Sequence, residues 1–318
     1  MKNIVTLGGA SGHTQVLLAL KDMPGIRITA ITPSTDSGGS TGILKDSYGA
    51  SGYLGDLTKC IVALSRNEKL ARALMYRYED GPIAGHSVKN LLFFALEKTG
   101  SLASALRTMG AIADIDGHRV LPVTSKKTEL RARLALGSVI AGETNIDNIA
   151  KNPLWNPNVH SIKDVYLAPS VPASSDVIAA LETADLIILS PGDLYSSIVP
   201  TLLPKGVSAA VRKSKAPVVL FLNIMTKQGE TDHYTAEDFI RNIEKYLGKR
   251  VDHIVANSAK IPKKALLRYS LESKVELGKF VKKSDARVIT APVAMTDERG
   301  ALVSDPKTIR KVVERILR

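Results

Sequence analysis

Cysteine, tryptophan and long apolar stretches are nearly absent from this sequence. Its 318 residues include one cysteine and one tryptophan, and Phe, Trp and Tyr together make up 5%. A single cysteine excludes an internal disulfide and a cysteine metal cluster. Cys60 lies in Leu57-Thr58-Lys59-Cys60-Ile61-Val62, an apolar helical setting, and reads as core packing. No apolar run approaches the roughly 20 residues of a membrane-spanning helix, and the first residues read as a strand without a basic leader or cleavage site. A soluble protein of the reducing cytoplasm is expected, with no membrane span. Negative charge is the scarcer sign, with 31 Asp and Glu against 43 Lys and Arg, a net +12. From Val251 to Arg318 there are fifteen Lys/Arg against eight Asp/Glu, so seven of those twelve charges sit in the last fifth. No aromatic stacking platforms interleave with them. That scatter argues against nucleic acid and for a solvated basic surface or a field drawing in an anionic metabolite.

What is present is organised around Asn3 to Leu20. An apolar run (Ile4, Val5, Leu7) breaks on Gly8-Gly9-Ala10-Ser11-Gly12 and resumes as Thr14-Gln15-Val16-Leu17-Leu18-Ala19-Leu20. This pattern predicts a buried strand, a glycine turn and a helix. Glycines let the backbone approach a ligand, and the free amides at the helix start favour an anion such as a phosphate. In the G-x-G-x-x-G register Gly9 and Gly12 fit but Leu7 replaces the first glycine, and no Lys-Ser/Thr pair follows as in a P-loop. A second strand, Ile26 to Ile31, runs into Ser34-Thr35-Asp36-Ser37-Gly38-Gly39-Ser40-Thr41-Gly42, read as a polar loop. Two such loops after parallel strands meet at the carboxyl edge of the sheet, where open α/β folds bind ligands. Gly38, Gly39, Ser40 and Thr41 suggest a second anion nest. Asp56 either caps its own helix or joins Asp36 in holding a divalent cation. His86, after Gly85 at a helix start, could donate to a phosphoryl oxygen, shuttle a proton or be structural.

From Val120 the pattern shifts to short alternating strands, read as a β-hairpin or meander inserted over about 118–145 into a single α/β domain spanning 1–318. The alternation then returns with strands at Val165 to Leu167, Asp185 to Leu189, Val218 to Leu222 and His253 to Ala256. Most of these end in loops rich in Ser, Thr, Asn, Asp and Gly. The fold class expected is a Rossmann-like, mostly parallel sheet flanked by helices.

Six ordered stretches carry a resemblance. They are Gly8–Gly12, Asp36–Gly42, Gly55-Asp56, Gly85-His86-Ser87 with Asn90-Leu91, Ser190–Ser197, and Asn223–Thr226 with Gly229–Asp232 and Tyr234-Thr235. The chain resembles the YvcK-type proteins, or gluconeogenesis factors, of the superfamily of the 2-phospho-L-lactate transferase CofD. The resemblance implies a nucleotide-diphosphate or nucleotide-sugar ligand, specifically a UDP-sugar. It also implies a regulatory role in carbon use, cell-wall synthesis and cell shape, with no cofactor required. The alternative is a Mg²⁺-dependent CofD-like transferase acting on a nucleotide-diphosphate donor, with Asp36 and Asp56 on the metal and His86 assisting. A weaker alternative is an NAD-binding protein. Ligand contacts are expected from Gly8, Gly9, Ala10, Ser11, Gly12, Gly38, Gly39, Ser40, Thr41, Ser190, Gly192, Tyr195, Ser196, Asn223, Thr226, Glu230 and Asp232. Tyr269 could stack on the ligand or be an ordinary surface tyrosine, and a homodimer is left open. Four departures from the family pattern stand out: Ser37 for a second aspartate, Thr58 for an arginine, Lys89 for a glycine, and Val303-Ser304 for a basic pair.

Overall fold

The arrangement of parallel strands decides where a site can form. The computed structural model describes residues 1–271, 274–282 and 284–318. In chain order, β1 (Lys2–Leu7), α1 (Ala10–Leu20) and β2 (Ile26–Thr32) open the fold. A helical stretch follows: α2 (Gly39–Tyr48), α3 (Leu54–Leu64), α4 (Glu68–Met75), α5 (Val88–Lys98) and α6 (Leu102–Ala113). Then come β3 (Arg119–Pro122), β4 (Glu129–Leu134), β5 (Val139–Ala141), α7 (Glu143–Asp147) and β6 (Ile162–Ala168). Alternation resumes with α8 (Ser175–Glu182), β7 (Leu186–Leu189), α9 (Val207–Lys213), β8 (Val218–Phe221), α10 (Ala236–Leu247), β9 (His253–Asn257), α11 (Lys263–Leu271) and β10 (Val288–Ala291). The chain closes with β11 (Ala294–Thr296), β12 (Leu302–Ser304) and α12 (Pro306–Ile316).

Seven strands form one parallel sheet in the order β10-β9-β8-β7-β1-β2-β3. Successive strand residues point to opposite faces, so a central strand needs apolar side chains on both. Ile187 and Leu189 join a core with α8, α9 and α10, whereas Leu186 and Ile188 join another with α1, α3, α5 and α12. The strand order runs outward in both directions from the β1–β7 pair. The loops after these two strands therefore part and leave a crevice at the carboxyl edge. Among the described residues, no helix is long and apolar enough to cross a membrane.

Four local expectations are corrected. Val120 to Val123 does not belong to the inserted meander: β3 pairs in parallel with β2, matching Thr29 to Arg119 through Thr32 to Pro122. The reason is two-sided burial, since Val120 enters one core and Leu121 and Val123 the other. The antiparallel sheet is β5-β4-β6, so Val165 to Leu167, read as one of the returning parallel strands, lies within β6 and pairs with β4 instead. The polar run after Asp36 is loop only as far as Gly38, the N-cap of α2, and Leu194 to Ile198 winds as a π-helical turn.

Leu189 is completely buried in the strand beside the crevice. Leu189→Ala is expected to lower unfolding free energy by about 2–5 kcal/mol through lost transfer energy and a cavity, measured by urea denaturation. A loss within error of zero would mean that this strand is not the packed centre of the sheet.

Candidate functional site

The turn after β1 is held in place by groups from three other segments. A β-carbon on Gly12 would lie 2.1 Å from the Pro191 carbonyl oxygen, so α1 can start against the β7 loop only with glycine there. A β-carbon on Gly9 would lie 2.6 Å from Asp56 Oδ2. Asp56, in the first turn of α3, accepts the Ala10 amide at 3.1 Å. It caps α1 rather than its own helix, whose N-cap makes no side-chain bond. First-turn amides lack partners inside a helix; Asp56 takes that of Ala10 and leaves those of Ser11 and Gly12 for the crevice. His13, fully buried, completes the brace: Nδ1 donates to the Gly8 carbonyl at 2.8 Å and Nε2 accepts from Thr6 Oγ1 at 2.8 Å. Sequence reasoning passed over His13. Its spacing of three, four and seven to Val16, Leu17 and Leu20 on the buried face was the available signal.

A cavity of about 320 Å³ opens on this turn. Ala10, Ser11 and Gly12 form one wall, and Gly192, Asn223, Thr226 and Lys227 another, with Tyr269 and the strand Leu302–Ser304 at the rim. Asn223 clamps the β7 loop, accepting from the Gly192 amide at 2.8 Å and donating to its carbonyl at 2.6 Å. Thr226 lines the cavity while its Oγ1 accepts the Val275 amide at 2.8 Å. Tyr269 is half-buried at the rim, its hydroxyl accepting from the Leu302 amide at 3.1 Å.

Several expected contacts lie behind this wall. Tyr195 is fully buried, its hydroxyl bonded to that of Tyr234 at 2.8 Å and to Asn242 Oδ1 at 3.2 Å. Glu230 accepts the Tyr195 amide at 2.6 Å, the Ser196 amide at 3.2 Å and Ser196 Oγ at 2.5 Å, fastening the π-helical turn. Burial, then the charge of Asp193, pushes the Glu230 carboxyl up. Asp232 accepts the Gly229 amide at 2.7 Å, closing a turn in which Gly229 has φ +92°. Ser190, Gly8 and Gly9 also fall outside the lining. These residues shape the walls without lining either cavity.

A second cavity, about 330 Å³, lies under the other glycine segment. Asp36, Gly38, Gly39, Ser40 and Thr41 meet Lys59 of α3, Arg77, Lys89 and Asn90, and the acidic helix α7 across from them. His86 is not in the lining; its Nδ1 sits 2.9 Å from Ser40 Oγ and steadies that hydroxyl. Burial first, and Asp56 second, raise the Asp36 carboxyl above its usual range. A β-carbon on Gly55 would come within 2.1 Å of Asp36 Oδ2, so the Asp36 carboxylate keeps this position only with glycine there. Ser37, where a second aspartate was expected, ties to α7 instead through Thr144 Oγ1 at 3.0 Å. Glu143 of α7, which no sequence signal marked, accepts the Ser37 amide at 3.3 Å, and burial followed by Asp36 lifts it to about 7.

Asp147 lies on the border of this second cavity and Lys227 on that of the first, their charges 2.9 Å apart; Asp193 is 3.5 Å from the same ammonium. Although burial alone would lower it, Asp193 and Asp147 hold Lys227 above the ordinary lysine range. Oxygens of Asp147, Asp193 and Glu230 come within 4.8 Å of one another. The Lys227 ammonium already supplies positive charge to that group. Asp36 and Asp56, the pair expected to hold a divalent cation, lie outside that group; after burial, the charge of Asp56 raises Asp36, a burden of the kind a cation with few carboxylate ligands relieves. A further cavity, about 570 Å³ along α6 and β3, contains no residue of the glycine loops.

Comparison with known proteins shows the family and the fold. The family described as 2-phospho-L-lactate transferase CofD matches residues 4–294. A Thermotoga maritima protein is 35% identical over 99% of both chains. The gluconeogenesis factor of Bacillus subtilis is 34% identical over 85% of this chain and 83% of its own. A crystal structure of a UPF0052-family member from Bacillus halodurans superposes with a TM-score of 0.89 at 30% identity, covering all of both chains.

Burial lowers the His13 imidazole from 6.5 to about 4, against weaker raising effects of Asp56 and the Gly8 carbonyl. A base depressed in the folded state contributes stability present above pH 6.5 and lost as pH falls through about 4. At roughly 1.4 kcal/mol per unit, this group is expected to take away about 3 kcal/mol between those limits. His13→Gln should flatten that part of the pH–stability curve; parallel curves for the two proteins would remove His13 from the account.

Proposed function

The chain belongs to the 2-phospho-L-lactate transferase CofD family, on its gluconeogenesis-factor (YvcK-type) side, and from that premise we propose that it binds a nucleotide sugar, specifically a UDP-sugar, as a cytoplasmic regulatory protein. The observation that carries this reading is the first-turn edge of α1, where Ser11 and Gly12 line a polar cavity together with Gly192 of the β7 loop. A helix N-terminus carries partial positive charge and unpaired donors, which suit a diphosphate. In this reading Ser11 and Gly12 bind the phosphates. Asn223 keeps the Gly192 loop at the distance that admits them, and Lys227 contributes charge from the opposite wall. Tyr269 at the rim provides a flat face for a base or sugar. Regulation of carbon use, cell-wall synthesis and cell shape is the role that the YvcK-type resemblance supports.

A second reading is favoured by one observation, the burial of Asp36 beside Asp56. It is a transferase acting on a nucleotide-diphosphate donor. A Mg²⁺ ion, when bound, would neutralise charge on the donor's phosphate oxygens, and Asp36 and Asp56 would hold it. Lys59, 3.4 Å from Asp56, would steady that carboxylate. Ser40, oriented by His86, would position the transferred group.

Isothermal titration with a UDP-sugar, GDP and NAD decides the ligand. Saturable binding of the UDP-sugar in preference to the other two is expected, and failure to bind any nucleotide diphosphate would end the proposal. Asp36→Asn combined with Asp56→Asn separates the two readings. Under the regulatory one it shifts affinity, by about tenfold or less; under the transferase one it abolishes turnover.

A further inference from the structure

The second cavity contains a charge that neither reading uses. Lys89, in the first turn of α5, is only 2% exposed. Its ammonium donates to Thr58 Oγ1 at 2.9 Å and to Asn90 Oδ1 at 2.6 Å, both neutral acceptors. Among the described residues no ion pair forms on it. An ammonium has three donors, so one remains for the cavity that Lys89 lines. The same lining contains Lys59 and Arg77, with the hydroxyls of Ser40 and Thr41; Asp36, Glu143 and Asp147 are its acidic members. Lys59 already faces Asp56. Lys89 therefore stands as a buried cation without a carboxylate partner.

A purely structural part for this side chain fits poorly. An apolar side chain of similar length would fill the gap between α3 and α5 without stripping water from a charge. Burial, with Lys59 and Arg77 adding to it, lowers the Lys89 pKa to about 7 against the pull of Asp56 and Asp36, so the charged form is disfavoured until an anion faces it. The Lys89 ammonium donates to the Thr58 hydroxyl. The two departures at positions 58 and 89 are thus in direct contact.

We propose that Lys89 is the anion-binding residue of the second cavity, delivering from α5, to a phosphoryl-type group, the cation that an arginine at position 58 would deliver from α3. The assignment does not depend on the nucleotide reading. Arg77 and the Ser40 hydroxyl complete the cradle, and phosphate oxygens accept from both.

The test is calorimetric titration of inorganic phosphate into the wild type, Lys89→Met, Lys89→Arg and the double variant Thr58→Arg/Lys89→Gly, each checked for folding by circular dichroism. Lys89→Met is expected to weaken phosphate binding by about tenfold or more, as for loss of a charged hydrogen bond. Lys89→Arg and the double variant are expected to retain it. No saturable phosphate binding by the wild type, or equal binding by Lys89→Met, would overturn the proposal. Should Lys89→Met fail to fold, the double variant decides: binding as in the wild type supports the transposed cation, and lost binding refutes it. UDP is titrated in parallel. A wild type that binds phosphate but no UDP defeats the nucleotide reading alone. Repeating the phosphate titration at saturating UDP tells the sources apart: blocked binding means that the nucleotide's own phosphate reaches Lys89, and unchanged binding means a separate anion.

Discussion

The carboxylate of Asp56 on the first amide of α1 is the contact on which the rest of the site depends. It joins the turn after β1 to the start of α3, across 46 residues of sequence. A carboxylate at that point can approach only because Gly9 has no side chain. Once there, it acts in three directions. It caps α1, it holds Lys59 at 3.4 Å, and its charge helps to raise Asp36. The natural anion position of a helix start is thereby partly filled by the protein itself. The next two residues of the turn, Ser11 and Gly12, line the first cavity together with Gly192 of the β7 loop.

The walls of the crevice follow a common logic of buried or half-buried polar groups that hold loops. Glu230 fastens the π-helical turn, Asn223 fastens Gly192, His13 fastens Gly8, and His86 fastens Ser40. A buried polar group is costly unless it is hydrogen-bonded, and each of these is. Rigid loops in turn keep donors at fixed distances and so spare the entropy of ordering them when a ligand arrives. Lys227, between Asp147 and Asp193, links the walls of the two cavities. The pair of cavities is thus one charged neighbourhood, with cations and carboxylates in alternation rather than a uniform field.

Much of this was legible in the residues alone. Strand, glycine turn and helix are written in Ile4 to Leu20, and parallel alternation sends most strand ends to one edge, so the loops at Gly8, Asp36, Ser190 and Asn223 had to meet there. The place of β3 was not legible. Val120 and Leu121 alternate much as they would in a hairpin, and only covering helices on both faces of the sheet make that run a parallel strand. Nor was the division of labour among polar residues. Tyr195, Glu230 and Asp232 share the composition of ligand-binding loops, yet their partners lie within the protein.

By itself, then, the chain's order of residues determined the fold class and the rim on which ligand-binding groups collect, because periodicity and glycine placement act over a few neighbouring residues. Which of those groups face the crevice was decided only in three dimensions. Thr58 meets Lys89 across 31 residues and Tyr195 meets Glu230 across 35. A polar side chain becomes a wall brace or a ligand contact according to what packs against it, and that neighbour is set by tertiary packing.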